Sequence, residues 1–219
     1  MAEQIRPQEN DRAEAAPEAG LSHQRSLAQQ RSRDRLERIL AAASKLIAEK
    51  GSEHVKMSEV AESAEISIGS LYQYFPDKRA IIRTLAERYA AASRQCIAQA
   101  LADVRDLKGL RAAFASLVDQ YYAIFLAEPV MRDIWSGMQA DKELMAIELA
   151  ESRASGELLA AVMRRVHPGA DPEKTAASAF LVWQLGEATM RLAISLPRHE
   201  GDAIVEAYKR MTLREIAEI

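Results

Sequence analysis

The sequence has few of the residues on which covalent bonds, metals or cofactors depend. It has a single cysteine, Cys96, so no disulfide can form within the chain, and this suits a reducing compartment. Its nine glycines form neither a GxxxxGKS/T loop nor a GxGxxG turn for binding phosphate. The four histidines are scattered, without the HExxH or ExxH spacing of zinc or di-iron sites. We therefore predict a protein that is not an enzyme and that needs no metal and no cofactor.

Long apolar segments are also missing. No run approaches the roughly 18 residues that a membrane span needs, so we expect no membrane insertion. The first twenty residues are acidic and polar without an apolar stretch, which argues against a secretory signal and favours the cytoplasm. With 219 residues, 48% hydrophobic and 28% charged, the chain has the composition of one large or two small globular domains.

The charge is distributed unevenly along the chain. The total is −3, but residues 22–108 carry fifteen basic and eleven acidic side chains, a net charge of +4. Residues 1–21 and 109–219 carry −3 and −4. A basic middle between acidic ends indicates a polyanionic partner for one part of the chain and a different role for the rest.

Apolar residues recur at spacings of three and four, and no segment alternates like a strand for long, which predicts an all-α fold. Residues 1–30 lack an apolar face and are predicted to be a disordered or loosely helical extension. The first regular helix is expected from Arg33 to about Gly51. The later helices are expected at about 57–63, 68–74, 78–101, 107–127, 129–139, 142–166, 172–196 and 203–217.

Residues 57–74 have the pattern of a helix-turn-helix. A short helix from Met57 to Ser63 and a second from Ile68 to Tyr74 flank a tight turn, and Ser67 is a good N-cap for the second helix. In this motif the second helix enters the major groove of DNA by its N-terminal end. Taken alone, such a string is often a false positive.

The segment MSEVAESAEISIGSLYQYFPDKRAIIRTL resembles the DNA-binding part of the tetracycline-repressor (TetR) family of transcription regulators, and the match covers about residues 33–85. The resemblance implies a three-helix DNA-binding domain at 31–78 and a larger helical ligand-binding and dimerisation domain at 79–219. It further implies a bacterial repressor that binds a palindromic operator in double-stranded DNA as a homodimer. A small-molecule effector in the second domain would release it.

Two positions depart from the family's pattern. Glu65 stands where the family usually has glycine, at the bend between the two helices, and a left-handed backbone there costs another residue roughly 1–2 kcal/mol. Lys56 stands where the family often has a threonine or serine that caps the first helix. A lysine cannot cap in this way, although it can reach a phosphate as a point charge.

The candidate DNA-binding residues lie on and beside the second helix. Gln73 has bidentate capacity toward adenine, while the hydroxyls of Tyr72 and Tyr74 and the charge of Lys78 suit phosphates. Arginines near the start of the first helix, Arg31 and Arg33 foremost, either follow the DNA backbone or form a solvated helix face. The complete candidate set is Lys56, Ser58, Ser67, Ile68, Gly69, Ser70, Tyr72, Gln73, Tyr74 and Lys78.

The second half is rich in aromatic residues and methionine, which suits either a core or an adaptable apolar pocket. We expect an uncharged or weakly polar effector. The candidate pocket residues are Tyr121, Tyr122, Phe125, Met131, Trp135, Met138, Met145 and Trp183. The candidate dimer-interface residues are Ala177, Phe180, Gly186, Ala188, Ile204 and Tyr208, on the last two helices.

One alternative stays open from the sequence. The chain could be a helix-turn-helix DNA-binding or adaptor protein that responds to a protein partner and has no small-molecule ligand. An interior filled completely by its own side chains would favour that alternative.

Overall fold

The computed structural model describes residues 16–128, 130–139 and 141–219, with the side chains of 27–128, 130–135, 138 and 141–219. Regular structure in these residues is entirely helical, as the sequence predicts. The helices are α1 (Ala16–Lys50), α2 (Met57–Ser63), α3 (Ile68–Tyr74), α4 (Lys78–Leu101), α5 (Leu107–Ala127), α6 (Val130–Gln139), α7 (Lys142–Val166), α8 (Pro172–Ala193) and α9 (Arg198–Glu218). None of the helices in this part of the chain is long and apolar enough to cross a bilayer.

Aspartate side chains fix where four of the helices begin. Each carboxylate accepts hydrogen bonds from backbone N–H groups of the first turn, which have no partner within the helix. The capping residues are Asp77 for α4, Asp106 for α5, Asp141 for α7 and Asp171 for α8. Each such cap stabilises its helix by about 1 kcal/mol.

The start of the first helix differs from the prediction. α1 begins at Ala16, so residues 16–30 are helical, which is one of the two states predicted for them, and residues 1–15 lie outside the described part. The stretch from Ala16 to Arg33 is rich in alanine, leucine, glutamine and arginine, which all favour helix. The prediction relied on an apolar face, which this stretch lacks, and therefore placed the start too late.

The junction between the last two helices also differs. α8 ends at Ala193 and α9 begins at Arg198, whereas the sequence predicted a linker up to residue 202. Gly201 lies within α9. A Cβ atom at Gly201 would lie 2.4 Å from the carbonyl oxygen of Ala193, so glycine serves close packing here.

Buried side chains form two clusters. The first contains apolar residues of α1 to α3, the first half of α4, and Val130, Ile134 and Met138 of α6. The second joins the remainder of α4 to α5, α7, α8 and α9. The packing of the N-terminal helices therefore continues beyond residue 78, the domain boundary predicted from the sequence.

Candidate nucleic-acid interface and interior cavity

The helix-turn-helix is held together by local backbone contacts and one buried leucine. The Ser67 hydroxyl accepts a hydrogen bond from the Ser70 N–H at 3.1 Å and caps α3. Leu71 is 0% exposed, and burying such a side chain contributes about 1.5–3 kcal/mol. With Leu71 anchoring one side of α3 to the core, the opposite side faces outward.

The two residues that depart from the family's pattern have clear geometry. Glu65 has φ of +55°, so the turn uses the left-handed backbone that glycine adopts more easily. The Lys56 side chain makes no cap hydrogen bond. Its backbone N–H instead donates to the Glu59 carboxylate at 2.9 Å, and Glu59 also pairs with Lys50 at 2.6 Å. Glu59 thus satisfies the backbone N–H of Lys56, although no side chain of residue 56 caps the first turn.

The predicted DNA-binding residues all reach the surface. Ile68 and Tyr72, a large apolar and an aromatic side chain, are 43% and 52% exposed. Ser70, Tyr74 and Lys78 are partly buried. The remaining exposed members are Lys56, Ser58, Ser67, Gly69 and Gln73. Their individual contacts with DNA stay predictions.

Two of the predicted phosphate contacts are positioned by neighbours. The Tyr74 hydroxyl lies 3.1 Å from the Ser32 hydroxyl of α1. The Lys78 ammonium donates to the Glu53 carbonyl oxygen at 2.9 Å, which leaves two of its three N–H groups for other acceptors. Both side chains are therefore oriented before any ligand arrives.

Gly69 is not required by the packing of α3. Apart from its chain neighbours and the backbone of its own helix, nothing lies within 4 Å of the position where a Cβ would stand. Glycine within a helix costs roughly 1 kcal/mol relative to alanine, so this position carries a cost without a packing reason inside the chain. A bare backbone at the exposed N-terminal end of α3 allows another surface to come close.

A cavity of about 140 Å³ lies in the C-terminal half, between α4, α5, α6, α8 and α9. Most of its lining is apolar or aromatic. The lining residues are Tyr89, Ala92, Ser93, Cys96, Ile97, Phe114, Leu117, Val118, Gln120, Tyr121, Ile124, Met131, Trp183, Gly186, Glu187, Met190 and Tyr208. A smaller cavity of about 40 Å³ shares several of these residues and extends toward α7.

The predicted pocket residues divide into two groups. Tyr121, Met131 and Trp183 line both cavities, and Trp135 and Met138 line the smaller one. The other three lie elsewhere. Tyr122 and Phe125 are buried in the core, and Met145 is exposed on α7. These three were misplaced because residues on different faces of one helix have the same apolar character in the sequence.

Sequence reasoning missed the most polar residue of the cavity, Glu187. It is 6% exposed, and its carboxylate oxygens accept hydrogen bonds from Ser152 at 2.9 Å and Trp183 at 3.2 Å. Burial raises the pKa of Glu187 to about 7. A signal was present, because Glu187 stands four residues after Trp183 and three before Met190, on an apolar helix face.

The predicted dimer residues are also divided. Gly186 and Tyr208 face the interior, where the Tyr208 hydroxyl donates to the Val182 carbonyl at 2.7 Å, so these two predictions are corrected. Close approach between α8 and α9 of one chain explains the small residue at position 186. Ala177 and Ala188 are exposed, and Phe180 and Ile204 are partly buried.

An exposed apolar stripe runs along the same two helices. On α8 it consists of leucines at spacings of four and seven, so that they share one face. On the adjoining helix α9 a methionine is also exposed. The exposed residues are Leu181, Leu185, Leu192 and Met211, and the exposed Ala177 and Ala188 lie on the same face of α8.

Two family models match the chain. Residues 39–85 match the bacterial regulatory proteins of the tetR family, and residues 108–219 match the tetracyclin repressor-like C-terminal domain. A comparison with curated protein sequences gives no match. The first match covers α2 and α3 with the helices around them, and the second covers much of the cavity lining.

Solved structures with the same fold cover nearly the whole described chain. A TetR-family regulator from Streptomyces coelicolor has 23% identity and a TM-score of 0.63, over 84% of this chain and 97% of that one. The fatty acid degradation regulator FadR from Bacillus halodurans has 17% identity and a TM-score of 0.64, over 82% and 94%. FadR from Bacillus subtilis, in complex with stearoyl-CoA, has 15% identity and a TM-score of 0.61, over 84% and 98%. With the helix-turn-helix, the helical C-terminal half and both family models in agreement, this chain belongs to the TetR family of DNA-binding transcriptional regulators, which are not enzymes.

Proposed function

We propose that the protein is a homodimeric repressor of the bacterial cytoplasm. It binds a palindromic operator through α3 and is released when a small, mainly apolar effector fills the cavity in the C-terminal half. The observation that carries this proposal is that two helices belong to both the DNA-binding core and the cavity wall.

Helix α6 supports the proposed coupling directly. On one side, Val130 and Ile134 are buried in the core of the DNA-binding helices. On the other side, Met131 lines the larger cavity and Trp135 the smaller one. A ligand that displaces Met131 or Trp135 would therefore move residues packed against α1 and α4.

Helix α4 supplies a second connection. It begins at Lys78 beside the helix-turn-helix, and further along it lines the cavity with Tyr89, Ser93 and Cys96. Near its start, Arg79 pairs with Asp141 at 2.6 Å and with Glu143 at 3.0 Å, at the beginning of α7. A shift of α7 or α4 would thus be passed to the DNA-binding end by packing and by charge.

Release from DNA then follows from linkage. An effector shifts a conformational equilibrium only by the difference between its affinities for the two states. The ligand would bind more tightly when the distance between the two DNA-binding domains does not match the operator. The factor by which bound DNA weakens ligand affinity is then also the factor by which the ligand weakens DNA affinity. The two domains must act together, which requires the dimer.

The exposed leucine stripe on α8 and Met211 on α9 support dimerisation. Contiguous apolar surface on a helix pair of a monomer is uncommon and marks a contact surface. Pairing α8 and α9 with the same helices of a second chain would bury this stripe in an isologous interface.

The cavity also bears on the protein-controlled alternative. Open volume lined by apolar side chains is typical of small-molecule sites, so it favours control by a small molecule over control by a protein partner alone. Stearoyl-CoA, held by the Bacillus subtilis neighbour, is an unsuitable effector here. A cavity of about 140 Å³ is too small for it, and no Lys or Arg among the described lining residues could bind its phosphates.

The DNA-binding part is tested by selection from a pool of random duplexes with the full-length protein. We expect enrichment of an inverted repeat whose half-site centres lie about 10 base pairs, or a multiple of that, apart. Enrichment of a single unrepeated site, or of none, would contradict the dimeric repressor.

The effector part is tested by screening small apolar compounds for release of the protein from the selected DNA. Active compounds should also change the fluorescence of Trp135 or Trp183, which border the cavities. If no compound that binds the cavity changes DNA affinity, and a second protein does, the alternative regulator is correct.

A further inference from the structure

We propose that the cavity takes an apolar molecule that carries one basic amine, and that the carboxylate of Glu187 holds this amine. The inference rests on the proposed function, because it specifies the chemistry of the proposed effector. It also differs from the uncharged ligand expected from the sequence.

The cavity is apolar except at one point. Among the described residues that line the larger cavity, Glu187 is the only one with a carboxylate, and no Lys or Arg is present. Glu187 lines the smaller cavity as well, so one residue with a carboxylate is shared by both spaces. An ionised carboxylate in such surroundings is unfavourable unless a positive group accompanies it.

The arginines near the smaller cavity, in the part of the chain that the structure describes, form ion pairs with glutamates other than Glu187. Three glutamates line the smaller cavity, namely Glu148, Glu151 and Glu187. Arg191 pairs with Glu148 at 3.4 Å, and Arg94 pairs with Glu151. Two guanidinium groups thus pair with two of the three carboxylates. Glu187 makes no ion pair among the described residues, although the charge of Arg191 also acts on it and opposes the rise of its pKa.

Neutral groups bond to Glu187 but do not balance its charge. The Ser152 hydroxyl donates to one carboxylate oxygen and the Trp183 N–H to the other, which leaves each oxygen with further capacity to accept. The remaining titratable groups facing the larger cavity are Tyr89, Cys96, Tyr121 and Tyr208. None of these becomes positively charged in any protonation state. An ammonium group brought by a ligand would supply the missing charge.

The size of the cavity limits the rest of the ligand. An engineered apolar cavity of about 150 Å³ accommodates benzene, so about 140 Å³ suits one aromatic ring or an equivalent aliphatic group. The rings of Tyr121 and Trp183 stand 6.1 Å apart on the wall. They provide aromatic faces for such a body and for a neighbouring cation.

The test uses two probes of equal size, 2-phenylethylamine and 2-phenylethanol, titrated into the full-length protein at pH 8 by calorimetry. We expect the amine to bind at least about tenfold more tightly than the alcohol, since a charge-assisted hydrogen bond is roughly twice as strong as a neutral one. In Glu187→Gln, which keeps the size and the acceptor oxygen, this preference should vanish. In the control Glu215→Gln, which replaces an exposed glutamate that accepts from Ser178, it should remain.

The pH dependence gives a readout that needs no variant. Because the pKa of Glu187 is about 7, the wild-type affinity for the amine should rise roughly tenfold from pH 6 to pH 8, while the affinity for the alcohol does not. Equal binding of both probes, a preference that survives in Glu187→Gln, or no binding of either probe at about 10 mM would overturn the proposal. Amine binding that leaves DNA affinity unchanged would instead overturn the proposed effector control and keep Glu187 as the anchor.

Discussion

At the scale of single residues, the bend between α2 and α3 holds a glutamate in a backbone conformation that suits glycine. Glu65 has φ of +55° and is exposed, so its side chain gains little from burial. Glu65→Gly should raise the free energy of unfolding by about 1 kcal/mol, because it removes the strain of a left-handed non-glycine residue. Urea unfolding at 25 °C measures the change.

The control for Glu65 is its neighbour Glu62, also exposed but within α2. Glu62→Gly should lower the free energy of unfolding by up to about 1 kcal/mol, since glycine weakens a helix interior. Equal destabilisation by the two substitutions would show that the bend does not strain Glu65.

Glu187 should give stability a distinct pH dependence. Its pKa is about 7 in the folded protein against an ordinary value of 4.5, so the folded state binds the proton more tightly than the unfolded state. Its contribution to the free energy of unfolding is therefore fully present below pH 4.5 and declines as the pH rises toward 7. By the linkage relation the loss amounts to about 3 kcal/mol at most.

Glu187→Gln tests this by removing the ionisable group. From pH 4.5 to 7 the wild type should lose unfolding free energy relative to the variant. Above pH 7 the difference between the two should stay constant. Urea titrations across that range, with Glu215→Gln as the exposed control, provide the measurement. A constant difference would mean that Glu187 ionises normally in the folded protein.

At the scale of whole helices, the sequence was informative where helix ends are decided locally. The bounds of α3 and α4 agree with the prediction, because Ser67 and Asp77 cap these helices through side chains visible in the sequence. The beginning of α1 depends on helix propensity without an apolar face. The beginning of α9 depends on contact with another helix, which the sequence does not reveal.

The cavity was predictable only in part for a similar reason. Periodicity identified apolar residues in the second half, but an apolar residue facing a void and one packed in the core have the same pattern. Tyr121 and Tyr122 illustrate this, since adjacent tyrosines face the cavity and the core respectively. The contribution of Glu187 depends on which groups the other helices bring beside it.

The junction of α8 and α9 provides a packing test at this scale. A methyl group at Gly201 would meet the Ala193 carbonyl oxygen at 2.4 Å and the Tyr122 hydroxyl at 2.9 Å. Because a backbone carbonyl cannot move aside easily, Gly201→Ala should destabilise by about 1–3 kcal/mol. Thermal unfolding would show this as a lower midpoint.

Gly169 is the matched control, since no atom lies within 4 Å of its Cβ position. Gly169→Ala should change stability by no more than about 0.5 kcal/mol. If both alanines are tolerated equally, α9 does not pack against the end of α8 as closely as described.

At the scale of the whole molecule, the exposed face of α8 is the interface of the proposed dimer. Leu185 lies in the middle of its leucine stripe and is exposed in the single chain. Leu185→Glu should place charges in the interface of a dimer and convert it to a folded monomer. Light scattering at micromolar concentration, with circular dichroism for folding, tests this.

The matched substitution is Leu126→Glu, an exposed leucine of α5 outside that stripe. It should leave the dimer intact. A wild-type monomer at micromolar concentration, or a dimer that persists in Leu185→Glu, would contradict an interface at this face.

The proposed dimer would also determine how strongly DNA binding depends on salt. If Lys78 binds a phosphate with its free N–H groups, Lys78→Ala should weaken binding to operator and random DNA by a similar factor. Each neutralised phosphate contributes a slope of about −0.9 in log K against log salt, so a dimer that loses two contacts should lose roughly 1.8 in slope. Lys108→Ala, at the exposed start of α5, is the control and should leave the slope unchanged.

Gln73 should behave differently because its predicted contact is with a base. Gln73→Ala should lower operator affinity by about 1–3 kcal/mol per half-site while leaving binding to random DNA nearly unchanged. Salt titrations of both DNAs with wild type and the variants separate the two roles. If Gln73→Ala weakens binding to operator and to random DNA equally, Gln73 contacts the DNA backbone and not a base. If Lys78→Ala leaves the salt slope unchanged, Lys78 binds no phosphate. Its ammonium then serves only to hold the Glu53 carbonyl in the turn before α2.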